Sequence, residues 1–314
     1  METVVANITG ITSSTEYPSG AIHECRVNEK NVISTPYGEL IPQYTSPGYR
    51  KKELKTMEFY EDGSLRAIAL EEQTDIKTPL GIMPAELLTF HKDGSLDSLF
   101  PLNGQIGFGW SLEEESALAT PFSFEFSFTK FTAKINTVRF YPSGNVRSVV
   151  LWPGETIILH TPLGEFAGRI GFKLYENGAL ESFEPLFPVS LKTSIGDIPA
   201  YDSNALGVDA DYNSICFDYD GRLSRLRMTG DLLVKQKNAV RVLYSSRTRP
   251  GLLTDSKVKL PIEITFVEHT VLINDGNKSA GYKIDENSFL IMPDMRVEAN
   301  DCGQSCDSCA AGCV

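Results

Sequence analysis

Met57-Glu58-Phe59-Tyr60-Glu61-Asp62-Gly63-Ser64-Leu65-Arg66-Ala67-Ile68 decides the fold. Apolar and polar residues alternate on both sides of Asp62-Gly63, the pattern of two half-buried strands joined by a tight turn. The glycine supplies the positive φ that such a turn needs and that a residue with a Cβ adopts only at a cost. The same pattern returns in 88–99 around Asp93-Gly94, in 138–149 around Ser143-Gly144, in 172–180 around Asn177-Gly178 and in 216–223 around Asp220-Gly221. A weaker copy centres on Pro18-Ser19-Gly20-Ala21-Ile22. Gly20, Gly63, Gly94, Gly144, Gly178 and Gly221 thus mark six hairpin units about 30–50 residues apart, a spacing within the range of repeat architectures.

A second turn lies downstream in four units: Thr35-Pro36-Tyr37-Gly38, Thr78-Pro79-Leu80-Gly81, Thr161-Pro162-Leu163-Gly164 and Thr193-Ser194-Ile195-Gly196. Proline sets φ at the first corner and glycine supplies the reversed conformation. One insertion breaks the series. Ser111 followed by Glu113, Glu114 and Glu115 reads as the capped, acidic first turn of a short helix over 111–119. Phe122, Phe124, Phe126 and Phe128 then alternate with polar residues as a half-buried strand. Beyond residue 230 the pattern fades, and 258–266, 270–274 and 288–292 read as further strands.

The predicted fold is all-β: a repeated β-hairpin meander or solenoid, a smaller C-terminal β region and a cysteine-rich tail. The corresponding segments are 1–17, 18–230 (with the helical insertion near 111–119), 231–299 and 300–314. A propeller is the architectural rival, and the uneven spacing counts against its closure.

The unit pattern, aromatic–Tyr–x–Asp/Asn–Gly–x–Leu, resembles the MORN-variant repeats of bacterial proteins over residues 18–230. The units are longer than the usual MORN pattern and lack its regular glycine ladder. The resemblance implies a twisted β-meander used as a scaffold or binding surface, and it implies no catalytic residues.

Composition bounds the function. Apolar residues make up 41% of the chain and charged residues 22%, which argues against wholesale disorder. The formal net charge of −12 disfavours nucleic acid as a general partner, because phosphate binding needs clustered cations. No apolar run approaches the roughly 20 residues of a membrane span, so membrane insertion is not expected. The opening METVVANITGITSSTEYPSG has neither a basic nor an apolar signal region, and a cytoplasmic location follows as the expectation.

The clearest chemical signal is the end of the chain. Cys302, Cys306, Cys309 and Cys313, spaced C-x3-C-x2-C-x3-C among small and polar residues, are four of six cysteines. Thiols this dense bind a metal, hold an iron–sulfur cluster or form disulfides. On one straight helix the outer two would lie about 16 Å apart. A single site therefore requires the chain to wrap, which Gly303 and Gly312 permit. The expectation is four thiolate ligands to an iron–sulfur cluster such as 4Fe–4S, with zinc as the alternative. Cys302, Cys306 and Cys309 are also similar to the CxxxCxxC motif of radical SAM enzymes, a motif that normally sits in an α/β barrel rather than at the end of a β chain.

Other residues carry blander readings. His23 and Cys25 share a strand face but are more simply packed, and Cys216 reads as core. His91 and His160 lie beside strands with no nucleophile motif. Asp209, Asp211 and Asp220 imitate a calcium loop, yet Ser214 stands where that loop needs glycine. Gly104-Gln105-Ile106-Gly107-Phe108-Gly109 lacks the Lys-Ser/Thr of a phosphate loop and reads as a turn. Lys235, Lys237, Arg241, Arg247, Arg249, Lys257 and Lys259 form one basic stretch, either a solvated face or a docking patch for an acidic partner. The leading functional expectation is a non-enzymatic scaffold carrying the thiolate site and docking to a protein. The alternatives are an electron-transfer or redox accessory subunit and an enzyme with a SAM-linked or redox-active cysteine centre.

Overall fold

A computed structural model describes residues 7–46, 48–50, 55–107, 109–205, 213–250 and 257–293. The described chain is nearly all β, with one α-helix, Leu112–Leu118. Sixteen strands form a single antiparallel sheet. Its path follows chain order from Ile11–Glu16 at one edge to Ser279–Lys283 at the other. Strands Ile262–Val267 and Thr270–Asn274 continue the same sheet beyond Leu223–Met228. No described helix is long and apolar enough to cross a membrane.

The six glycine turns share one geometry. In each, the first residue donates its N–H to the carbonyl four residues on and accepts from the glycine N–H. In the second unit Tyr60 N–H donates to Ser64 O at 2.9 Å, and Gly63 N–H donates to Tyr60 O at 2.8 Å. The glycines all stand between φ 76° and 86°. This is a type I turn followed by a glycine bulge, so the pairing slips between Glu58 and Phe59. The Thr-x-x-Gly turns are tighter two-residue loops. Thr78 Oγ1 accepts from Leu80 N–H at 3.1 Å and donates to Gly81 O at 2.8 Å. Thr35, Thr161 and Thr193 do the same, which is why a hydroxyl recurs there rather than an isosteric valine.

The first residue of each of the first five glycine turns also reaches into the next unit. Tyr17 Oη donates to Phe59 O at 2.9 Å, and Tyr60 Oη donates to Phe90 O at 2.8 Å. Tyr141 Oη reaches Leu174 O, and Tyr175 Oη reaches Phe217 O, both at 2.8 Å. Between them His91 Nε2 lies 3.0 Å from Phe140 O and takes the tyrosine's place. Burial pushes the phenols of Tyr60, Tyr141 and Tyr175 up, the last to about 12, so each keeps its donor proton. The accepting residues Phe59, Phe90, Phe140, Leu174 and Phe217 are at most 3% exposed. Each buried side chain contributes about 2 kcal/mol of hydrophobic stabilisation, and each rung adds about 1 kcal/mol.

The sixth turn has Asp218 at the tyrosine position. Its Oδ1 accepts from Asp220 N–H and Arg222 N–H, closing its own turn, and the rungs end there.

Hairpins that leave the main sheet supply a second layer. Leu40, Phe124, Ile198 and Val234 from these outlying strands share one hydrophobic core with the sheet. Two sequence expectations need correction. The stretch 258–266 is two strands in different sheets, Lys257–Leu260 and Ile262–Val267, divided at Pro261, which has no N–H to continue a ladder. The phenylalanine strand ends at Phe126. Phe128 sits in the turn before Thr129–Ala133 and packs edge-on against Phe172, with centroids 5.3 Å apart.

Candidate functional site

Two buried ionic clusters hold the fold. Arg50 grips two carboxylates at once. Its Nη1 and Nη2 meet Glu86 at 2.8 and 2.9 Å, while Nε and Nη2 each meet Glu115 at 2.8 Å. Burial lowers the guanidinium pKa, but both carboxylates outweigh it and the net shift is upward. The carboxylates are further bound by Asn103 N–H, Gly104 N–H and Trp110 Nε1. A Cβ on Gly104 would come within 2.3 Å of the Glu115 carboxyl, so this glycine lets the loop close over an internal anion. Gly104 and Trp110 are thereby tied to the helix Leu112–Leu118, whose expected N-cap at Ser111 forms a capping box with Glu114.

Glu184 is fully buried between two backbone amides, Asp202 N–H at 3.0 Å and Ser214 N–H at 2.8 Å. Burial pushes its pKa up to about 7 against the pull of these amides and of Arg169, 3.9 Å away. Asp202 is pushed up by burial as well. Both oxygens of Glu184 already accept, and the cluster holds together the chain on either side of 203–213. The sequence carried no sign of either cluster, because Arg50 stands 36 and 65 residues from its two carboxylates and Glu184 stands 18 and 30 from its two amides.

The basic stretch is different. Arg247–Pro250 pairs with Lys257–Leu260 to form a ribbon that belongs to no larger sheet. Arg247 and Arg249 sit opposite Leu260 and Val258 on one face; Lys257 and Lys259 sit opposite Pro250 and Thr248 on the other. Four of these eight residues are cations and none is an acid. Among the described residues, the hydrophobic core takes none from the ribbon. Its tip, 251–256, lies outside the described residues.

An open cleft of about 690 Å³ lies at the ribbon's foot, lined by Arg247, Arg249, Ser246, Asp275, Asn277 and Lys278 among others. The single carboxylate, Asp275, accepts from Asn277 N–H at 2.9 Å and Lys278 N–H at 3.0 Å. Burial works to raise its pKa, but these amides and Ser245 N–H hold it below the usual carboxylate range. Lys278 Nζ donates to Leu243 O and lies 4.8 Å over the Tyr244 ring.

The remaining sequence candidates are placed as follows. Cys302, Cys306, Cys309 and Cys313 lie outside the described residues, as do Asp209 and Asp211. Asp220 is an exposed turn residue paired with Arg222 at 2.8 Å. Cys25 is core, its thiol pushed up to about 11 by burial, and His23 packs against Tyr17 instead. Cys216 is also core, and Arg225 Nη2 donates to its Sγ at 3.3 Å. His91 is the rung already described, and His160 sits on an exposed hairpin 3.4 Å from Glu165. Among the described residues no His, Cys, Asp and Glu side chains converge as a metal site. Comparison of the chain with protein-family models, with curated proteins and with solved structures returned no match.

Proposed function

We propose that this chain is a non-enzymatic repeat scaffold that docks an acidic protein segment through its basic ribbon. The observation that carries the reading is the ribbon itself: four cations and no acid on eight residues, self-paired and outside the core, in a chain of net charge −12. A cationic ribbon outside the core can present its charge to an acidic partner. The sheet behind it supplies stiffness. Five successive rungs join each hairpin to its neighbour through the main chain. On the same reading Cys302, Cys306, Cys309 and Cys313 form a thiolate site for an iron–sulfur cluster, or for zinc, on a tail that begins after the last described strand.

Docking is tested by fluorescence anisotropy with a labelled glutamate-rich peptide. Saturable binding that weakens with added salt is expected, and the double change Lys257→Glu, Lys259→Glu should abolish it. Undiminished binding by that double variant rejects the ribbon as the docking element. The thiolate site is tested separately by iron, sulfide and zinc analysis of anaerobically purified protein. Metal content should vanish when all four cysteines become serine, and its absence from reduced wild-type protein rejects the site.

A further inference from the structure

We infer that the cleft between the ribbon and the 274–278 turn receives a phosphoryl group carried on a side chain of the docked partner. The inference rests on the docking reading and specifies what the cleft side of the ribbon recognises.

Charge is the first argument. Arg247, Arg249 and Lys278 all line the cleft, and Asp275 is the only carboxylate among its described lining residues. Asp275 is held ionised by three backbone amides, which leaves a local surplus of two positive charges. A single carboxylate compensates one of these. A phosphomonoester, with about −1.5 to −2 charges at neutral pH, compensates both.

Preorganisation is the second. The Arg247 guanidinium lies directly over Gly276, where a Cβ would fall 2.0 Å from Nη2. Only glycine permits that approach, and its φ of 82° suits it to the turn. The planar fork is thus positioned by the backbone, the arrangement that favours bidentate binding of a phosphate.

Hydrogen-bonding capacity is the third. Ser246 Oγ accepts from Gly230 N–H at 2.9 Å and keeps its own proton to donate. At about 690 Å³ the cleft exceeds the needs of a free ion and suits a group presented on a chain.

The test is titration calorimetry on the full chain with two short glutamate-rich peptides, one carrying a central phosphoserine and one a serine. The phosphoserine peptide should bind tighter by about tenfold or more, and inorganic phosphate should compete for that increment. Arg249→Gln, a change at an exposed residue, should remove most of the increment. Gly276→Ala should do the same by displacing Arg247 without removing a charge, with circular dichroism confirming the fold. Lys257→Gln on the opposite face should alter the increment less than about twofold. Equal affinity for the two peptides, an increment indifferent to phosphate, or an increment surviving Arg249→Gln overturns the inference. If the serine peptide binds through Lys257 and Lys259 while phosphoserine adds nothing, docking stands and the cleft assignment falls. If neither peptide binds, both fall.

Discussion

From Tyr17 to Tyr175 the first side chain of each glycine turn reaches into the neighbouring unit, whereas Asp218 closes its own turn and the ribbon cations beyond it face solvent. The first region binds the leading side chains of its turns internally. Tyr17, Tyr60, His91, Tyr141 and Tyr175 each end on a backbone carbonyl. Arg50 and Glu184 are likewise surrounded by partners. In the second region the ribbon cations Arg249 and Lys257 are exposed. The contrast teaches where to look for recognition: a polar group already bound inside the fold has little left for a ligand.

Substitutions at five residues can break or sharpen this contrast. The largest effect belongs to Arg50→Ala, which strands the carboxylates of Glu86 and Glu115 in the interior. Urea denaturation should show a loss of about 4 kcal/mol, and Arg50→Lys should recover part of it by restoring charge without the fork. A loss below about 0.5 kcal/mol would place Arg50 with the uncommitted residues instead.

Glu184 comes next and is read through pH. Its carboxyl titrates at about 7 when folded against 4.5 for an ordinary glutamate, so the folded state holds the proton more tightly. Its contribution is full below the lower value and is lost as pH rises through the upper one, a decline of about 3 kcal/mol. Asp202, also raised, acts in the same direction. Stability measured across that window should fall in the wild type and fall less in Glu184→Gln. Parallel curves for the two proteins would remove Glu184 from the account.

Tyr60→Phe and Tyr141→Phe each remove one rung and leave the ring in place. A loss of about 1 kcal/mol is expected from each in chemical denaturation. Hydrogen exchange should speed at the strands on both sides of the missing rung. The smallest stability effect is expected on the ribbon, where Lys257→Gln should change unfolding free energy by less than about 0.5 kcal/mol. A ribbon variant that destabilises as much as a rung variant would erase the distinction between the two regions.

The strands and the positive-φ glycines were legible because both act locally: alternation of period two, and a backbone angle that only glycine adopts freely. The helix cap at Ser111 was legible for the same reason. The purpose of the tyrosines was not. Tyr60 recurs visibly in the pattern, but its acceptor is the carbonyl of Phe90, and a backbone oxygen leaves no mark on sequence. The grip of Arg50 on Glu86 and Glu115 was hidden by distance along the chain, since charges become partners only once the sheet is built. The basic stretch was seen as a run of cations. What the run could not show was its folding into a two-faced ribbon, or the glycine that seats Arg247. Pro261 is the instructive miss: read as the middle of one strand, it is the boundary between two.

One property of the rungs bears on how such a chain can change. The rung from His91 to Phe140 spans 49 residues and passes over the helix and the phenylalanine hairpin, whereas that from Tyr60 to Phe90 spans 30. The link is made equally well, because the recipient is main chain and neither the neighbour's side chains nor the length of the intervening segment enters into it. Units joined this way are interchangeable. New chain can be spliced between two of them, or an imidazole substituted for a phenol, while the adjoining hairpin keeps its place.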